Sequence, residues 1–78
     1  MKYTVVIEKS DNGYSAYLPD MPGCVAAGDT LAETADLIRK GIVYHLEMLR
    51  ANGDPTPEPR AMAIQVTVDE APPDFHRP

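Results

Sequence analysis

The sequence predicts a small α+β domain of order β-β-β-α-β, with an antiparallel meander leading into one long helix and then a fourth strand. Three observations carry that expectation. Short segments of alternating apolar and polar residues lie on either side of turn signals. A marked helix start follows at Thr30, opening a run of apolar residues spaced three and four apart. Alternation then returns near the C-terminal end, in MAIQVTV.

The first strand is KYTVVIEK. Tyr3, Val5 and Ile7 share one face; Lys2, Thr4, Val6 and Glu8 share the other. Asn12-Gly13 is a strong hairpin signal, because both positions tolerate positive φ. YSAYLP follows as the second strand, with Tyr14, Ala16 and Leu18 on one face and Tyr17 on the other. Pro19 and Pro22 cannot donate to a sheet ladder, so they make a stiff corner. GCVAAGD is the third strand, unusually poor in bulk. Cys24 and Ala26 are expected beneath the helix, where small side chains allow close approach.

Thr30 and Glu33 have the spacing of a capping box, in which each side chain satisfies a backbone N–H of the first turn. The helix is expected from Leu31 to Ala51, closed by Gly53 in a left-handed cap. Leu31, Ala35, Ile38, Ile42, Leu46 and Leu49 form one apolar stripe; Leu37, Tyr44 and Met48 form a second beside it. Together they cover roughly half the circumference at about 100° per residue. That is wider than one small sheet needs: either the helix covers its core generously or it also meets another subunit or partner, with Leu37, Tyr44 and Met48 as candidate contacts in a homo-oligomer. GDPTPEPR is a stiff extended connector, rich in alternate prolines. In the fourth strand Met62, Ile64, Val66 and Val68 share a face. A right-handed crossover would place it parallel to the first strand, giving sheet order 3-2-1-4 with the helix on one face. One domain over residues 1–68 and a flexible proline-rich tail over 69–78 complete the expected organisation.

Composition narrows function. Seven Lys and Arg face twelve Asp and Glu, a net charge of −5, which opposes general nucleic-acid binding and suits a basic protein partner. The single Cys excludes an intrachain disulfide. No apolar run approaches a membrane span of roughly 18 residues, and the N-terminus has no signal pattern. These features point to a cytoplasmic protein. No cofactor or metal is expected: His45 has Gly41 and Leu49 four residues away, so no second ligand shares its helical face. His45 is expected to be partly buried at an interface. Cys24 is expected as a small buried apolar residue and not as a nucleophile.

Pro22-Gly23-Cys24, Gly28-Asp29-Thr30, and Gly53-Asp54 leading to Pro57 and Pro59 occur in an order and spacing that resembles the HicB-like antitoxins. The similarity spans roughly Met1 to Val68. It implies a partial ribonuclease H-like fold and a partner, a small basic HicA-like toxin that cleaves messenger RNA with a histidine. It implies an inhibitor acting by steric cover. A ribonuclease H-type nuclease needs converging carboxylates on metal ions, with an aspartate on the first strand; here that strand carries none, and no catalytic residue is expected. Many members of the family continue into a DNA-binding domain. The residues after Val68 are too few and too proline-rich to supply one, so direct DNA binding is not expected. The expected partner-binding residues are Tyr17, Asp20 and Glu33, an aromatic anchor with acidic neighbours. The alternative is a stand-alone oligomeric binding module of the same fold, without a toxin partner or enzymatic activity.

Overall fold

A computed structural model describes residues 1–70. Its elements are β1 (Val6–Ser10), β2 (Gly13–Tyr17), β3 (Val25–Gly28) and α1 (Leu31–Ala51). The three strands form one antiparallel sheet of order β1-β2-β3, covered on one face by α1.

β1 starts four residues later than the alternation alone predicts. The cause lies in β2, which ends at Tyr17 because Pro19 cannot continue the ladder. Val6 opposite Tyr17 is therefore the last pair, and residues 2–5 have no partner on that side. Tyr3 and Val5 nonetheless pack against the core beside Ile7. The hairpin loop is Asp11-Asn12, one residue earlier than expected, since Ser10 pairs with Gly13. Asn12 does not take a positive φ; Gly13 does, at +146°. A Cβ at Gly13 would meet the carbonyl oxygen of Gly28 on β3.

The corner between β2 and β3 is built from two consecutive turns. The N–H of Met21 donates to the Leu18 carbonyl, and the N–H of Cys24 to the Met21 carbonyl. Pro22 and Gly23 occupy the central positions of the second turn, with Gly23 at φ +91°, the arrangement of a type II turn. The corner throws Met21 inward, where it is 1% exposed. The core is Ala16, Leu18, Met21, Cys24 and Ile38, with Ile42 and Leu46 half-buried against it. Much of the volume that β3 lacks thus comes from Met21 as well as from the helix.

α1 begins as its capping box predicts. Thr30 Oγ1 accepts from the Glu33 N–H at 3.1 Å, and Glu33 Oε1 accepts from the Asp29 N–H at 2.7 Å. Thr34 is fully buried, and its hydroxyl donates to the Thr30 carbonyl at 2.8 Å. A Cβ at Gly28 would lie 2.8 Å from Thr34 Oγ1, so only glycine lets β3 meet the first helical turn. At the other end Asn52 is the cap and Gly53 turns at φ +75°. Ile38 is buried, while Leu31 and Ala35, expected on the same inward stripe, remain exposed.

The expected fourth strand does not form among the described residues. The connector returns to the start of β1: Thr4 Oγ1 donates to the Ala61 carbonyl at 2.8 Å, and Tyr3 Oη donates to the Pro57 carbonyl. Beyond Ala61, residues 62–70 are exposed and belong to no sheet, so the order 3-2-1-4 is replaced by three strands and an unpaired arm. Most of the expected tail, residues 71–78, lies outside the described residues.

Candidate functional site

The face of the sheet away from α1 is uncovered among the described residues. Cross-strand pairing places Val6, Tyr17 and Val25 in one row across all three strands. Directly paired residues share a face, so this row is the side opposite Ile7, Ala16 and Ala26. Tyr17 is 42% exposed and Val25 69% exposed. Glu8, Ser15 and Ala27 form the next row on the same face. The result is an apolar strip with a polar border, held on a hydrogen-bonded sheet.

Tyr17 therefore lies where its alternation predicts. Asp20 and Glu33 are acidic and near the surface, but each has a structural task. Asp20 Oδ2 accepts the N–H groups of both Arg60 and Ala61 at 2.9 Å, fixing the connector to the corner. Glu33 completes the capping box. Asp36 is partnered by Arg39 at 2.8 Å and Lys40 at 3.0 Å, which hold its carboxyl below the usual carboxylate range. Leu37, Tyr44 and Met48 are exposed along one flank of α1. His45 is half-buried.

Cys24 is buried, and burial pushes its thiol pKa up, which opposes a thiolate role. Its sulfur lies 3.6 Å from where a Cβ on Gly41 would stand, a close approach of helix and sheet. Among the described residues no group of three or more His, Cys, Asp or Glu is placed to hold a metal ion, and no helix is long and apolar enough to cross a membrane.

A second surface feature was not expected from the sequence. A groove of about 310 Å³ runs between the N-terminal residues Met1 and Tyr3 and the flank of α1 formed by Arg39, Ile42, Val43, Leu46 and Arg50. At about 100° per residue this flank is opposite the one bearing Leu37, Tyr44 and Met48. Its signal in the sequence is Val43, an apolar residue outside both stripes.

The model of the family described as HicB_like antitoxin of bacterial toxin-antitoxin system matches residues 3–76. The chain belongs to the HicB-like antitoxin family. A UPF0150 protein of Thermoplasma acidophilum is 36% identical over 67 residues, covering 85% of this chain and 97% of its own length. A UPF0150 protein of Synechocystis is 40% identical over 57 residues, covering 72% of each chain. A 14.9 kDa protein of Haemophilus phage HP1 is 38% identical over 58 residues, 74% of this chain, but the matched part spans only 44% of the phage protein. Among solved structures, a chain of a HicA3 and HicB3 toxin–antitoxin complex superposes with a TM-score of 0.65 at 33% identity, covering 77% of this chain and 70% of its own. In this HicB-like chain the shared fold is the three-stranded meander with its helix.

Proposed function

We propose that this HicB-like chain binds a small basic HicA-like toxin and neutralises it by covering the toxin's active site with the open face of the sheet, without chemistry of its own. The observation that carries the reading is the row of half-buried Val6 and exposed Tyr17 and Val25 on a hydrogen-bonded sheet. An aromatic residue centred among smaller apolar ones is the usual form of a binding hot spot. A surface already ordered before binding loses less conformational entropy on association. The net charge of −5 favours encounter with a basic partner. Family membership and the likeness to a toxin–antitoxin complex support the same partner class.

The test is coexpression with the toxin, followed by a binding measurement on purified proteins. Tyr17→Ala should weaken binding by about 1–2 kcal/mol, roughly 5–30-fold, and reduce rescue from toxicity. Circular dichroism should be unchanged, because the side chain lies on the uncovered face. A folded Tyr17→Ala protein with wild-type affinity would exclude the open face and favour the flank of α1 bearing Leu37, Tyr44 and Met48. Asp20→Asn and Glu33→Gln keep an acceptor oxygen for the local hydrogen bonds. These variants should slow association and flatten its salt dependence without unfolding the chain.

A further inference from the structure

We propose that residues 62–68 form a strand exchanged between two copies of this chain: each arm adds to the β1 edge of the other copy and fills the groove beside it. The arm has the pattern of a strand without its surroundings. Met62, Ile64, Val66 and Val68 alternate with Ala63, Gln65 and Thr67, and the four larger side chains are each at least 70% exposed. Four such residues in regular alternation match a half-buried strand and contribute nothing to burial where they stand.

The acceptor is equally incomplete. Among the described residues β1 pairs only with β2, so its other edge presents backbone N–H and C=O groups with no partner there. Beside this end of the sheet lies the groove lined by Tyr3, Ile42, Val43 and Leu46. A strand added to β1 would lay its apolar face there, closing the sheet edge and the groove together. Seven extended residues reach about 23 Å, enough to run the length of β1.

A second copy is the occupant because of where the arm starts and where it goes. Asp20 and Thr4 fix Arg60 and Ala61 at the beginning of β1. From that root the described part of the arm, residues 62–70, leaves its own β1 edge unfilled. Each chain therefore offers one arm and, at β1, an edge that lies beside an apolar groove, a combination that a two-fold dimer satisfies reciprocally. Charge sets the direction. The arm ends in Asp69 and Glu70, while the groove is bordered by Arg39 and Arg50. Arg39 is already paired with Asp36, and Arg50 has no ion pair among the described residues. An arm antiparallel to the partner's β1 brings its acidic end to the partner's Arg50. This proposal does not depend on a toxin partner.

Light scattering on the full chain at micromolar concentration should give twice the mass of one chain. Isotope-filtered NOE spectroscopy, on protein refolded from equal labelled and unlabelled chains, should show contacts between residues 62–68 of one copy and β1 of the other. Combining Ile64→Lys with Val66→Lys should raise the dimer dissociation constant by at least about a hundredfold while leaving the helical circular dichroism intact, since neither residue touches the core. A monomer with an unprotected arm would overturn the proposal. So would arm-to-β1 contacts confined to one chain, which would make the arm that chain's own fourth strand. A dimer that survives both lysines would overturn it as well.

Discussion

The corner at residues 18–24 and the arm at residues 62–68 have exchanged the roles their sequences suggest. LPDMPGC has two prolines, a glycine and no periodicity, yet Leu18, Met21 and Cys24 supply three of the five buried apolar residues among those described. MAIQVTV alternates without a break and buries nothing among the described residues. Periodicity states that a segment can bury one face; it does not supply the surface to bury it against. The corner has that surface, because two tight turns aim its side chains under α1. The arm leaves the sheet before reaching one.

The widest gap between the two regions should appear in stability. Met21→Ala should cost about 2–5 kcal/mol in urea unfolding, since it empties a fully enclosed site. For a domain whose total stability is of order 5–15 kcal/mol, that approaches loss of the fold. Ile64→Ala, tested at a concentration where the chain is monomeric, should change stability by less than about 0.5 kcal/mol. A Met21→Ala protein as stable as wild type would remove the corner from the core.

An intermediate effect is expected where the two regions are tied. Asp20→Ala removes the acceptor for the Arg60 and Ala61 N–H groups and should cost about 1 kcal/mol, with faster amide exchange at both residues. Asp20→Asn retains an oxygen acceptor and should recover most of the loss. Equal effects of Ala and Asn would mean that the negative charge, and not the hydrogen bonds, holds the connector.

Much of this architecture was legible before any coordinates. Thr30 and Glu33 marked the helix start, and Gly53 its end, because caps satisfy local backbone groups with local side chains. The faces of Ala16, Tyr17 and Cys24 were also readable. The hairpin turn lies one residue earlier than Asn12-Gly13 suggests, but moving it back on both strands leaves each strand's alternation in place. Met21 is not legible as core, since it lies between two consecutive turns and belongs to no periodic segment. Thr34 was hidden by its polarity; its hydroxyl is satisfied by the carbonyl of Thr30, which permits complete burial. The fourth strand does not form among the described residues; alternation says nothing about what provides the neighbouring edge. Alternation places Val6 and Tyr17 on the outward faces of their strands, but their union with Val25 in one row needs the register as well.

The smallest expected effect is a pH response confined to the corner. Burial raises the Cys24 pKa in the folded chain, so unfolding exposes a thiol that ionises more readily. The corresponding stability is complete below the ordinary thiol range and falls as pH rises through the folded value. Cys24→Ala should flatten this alkaline decline in urea midpoints. Native Cys24 should also react with iodoacetamide far more slowly than the unfolded thiol; equal rates would contradict its burial.

The contrast between corner and arm is tested most directly by hydrogen–deuterium exchange at a series of protein concentrations. The amides of Met21 and Cys24, closed by turns within one chain, should be protected equally at every concentration. Those of residues 62–68 should gain protection as concentration rises and a second copy supplies the edge they lack. Protection of the arm that is constant across the series, or absent throughout it, would contradict the account.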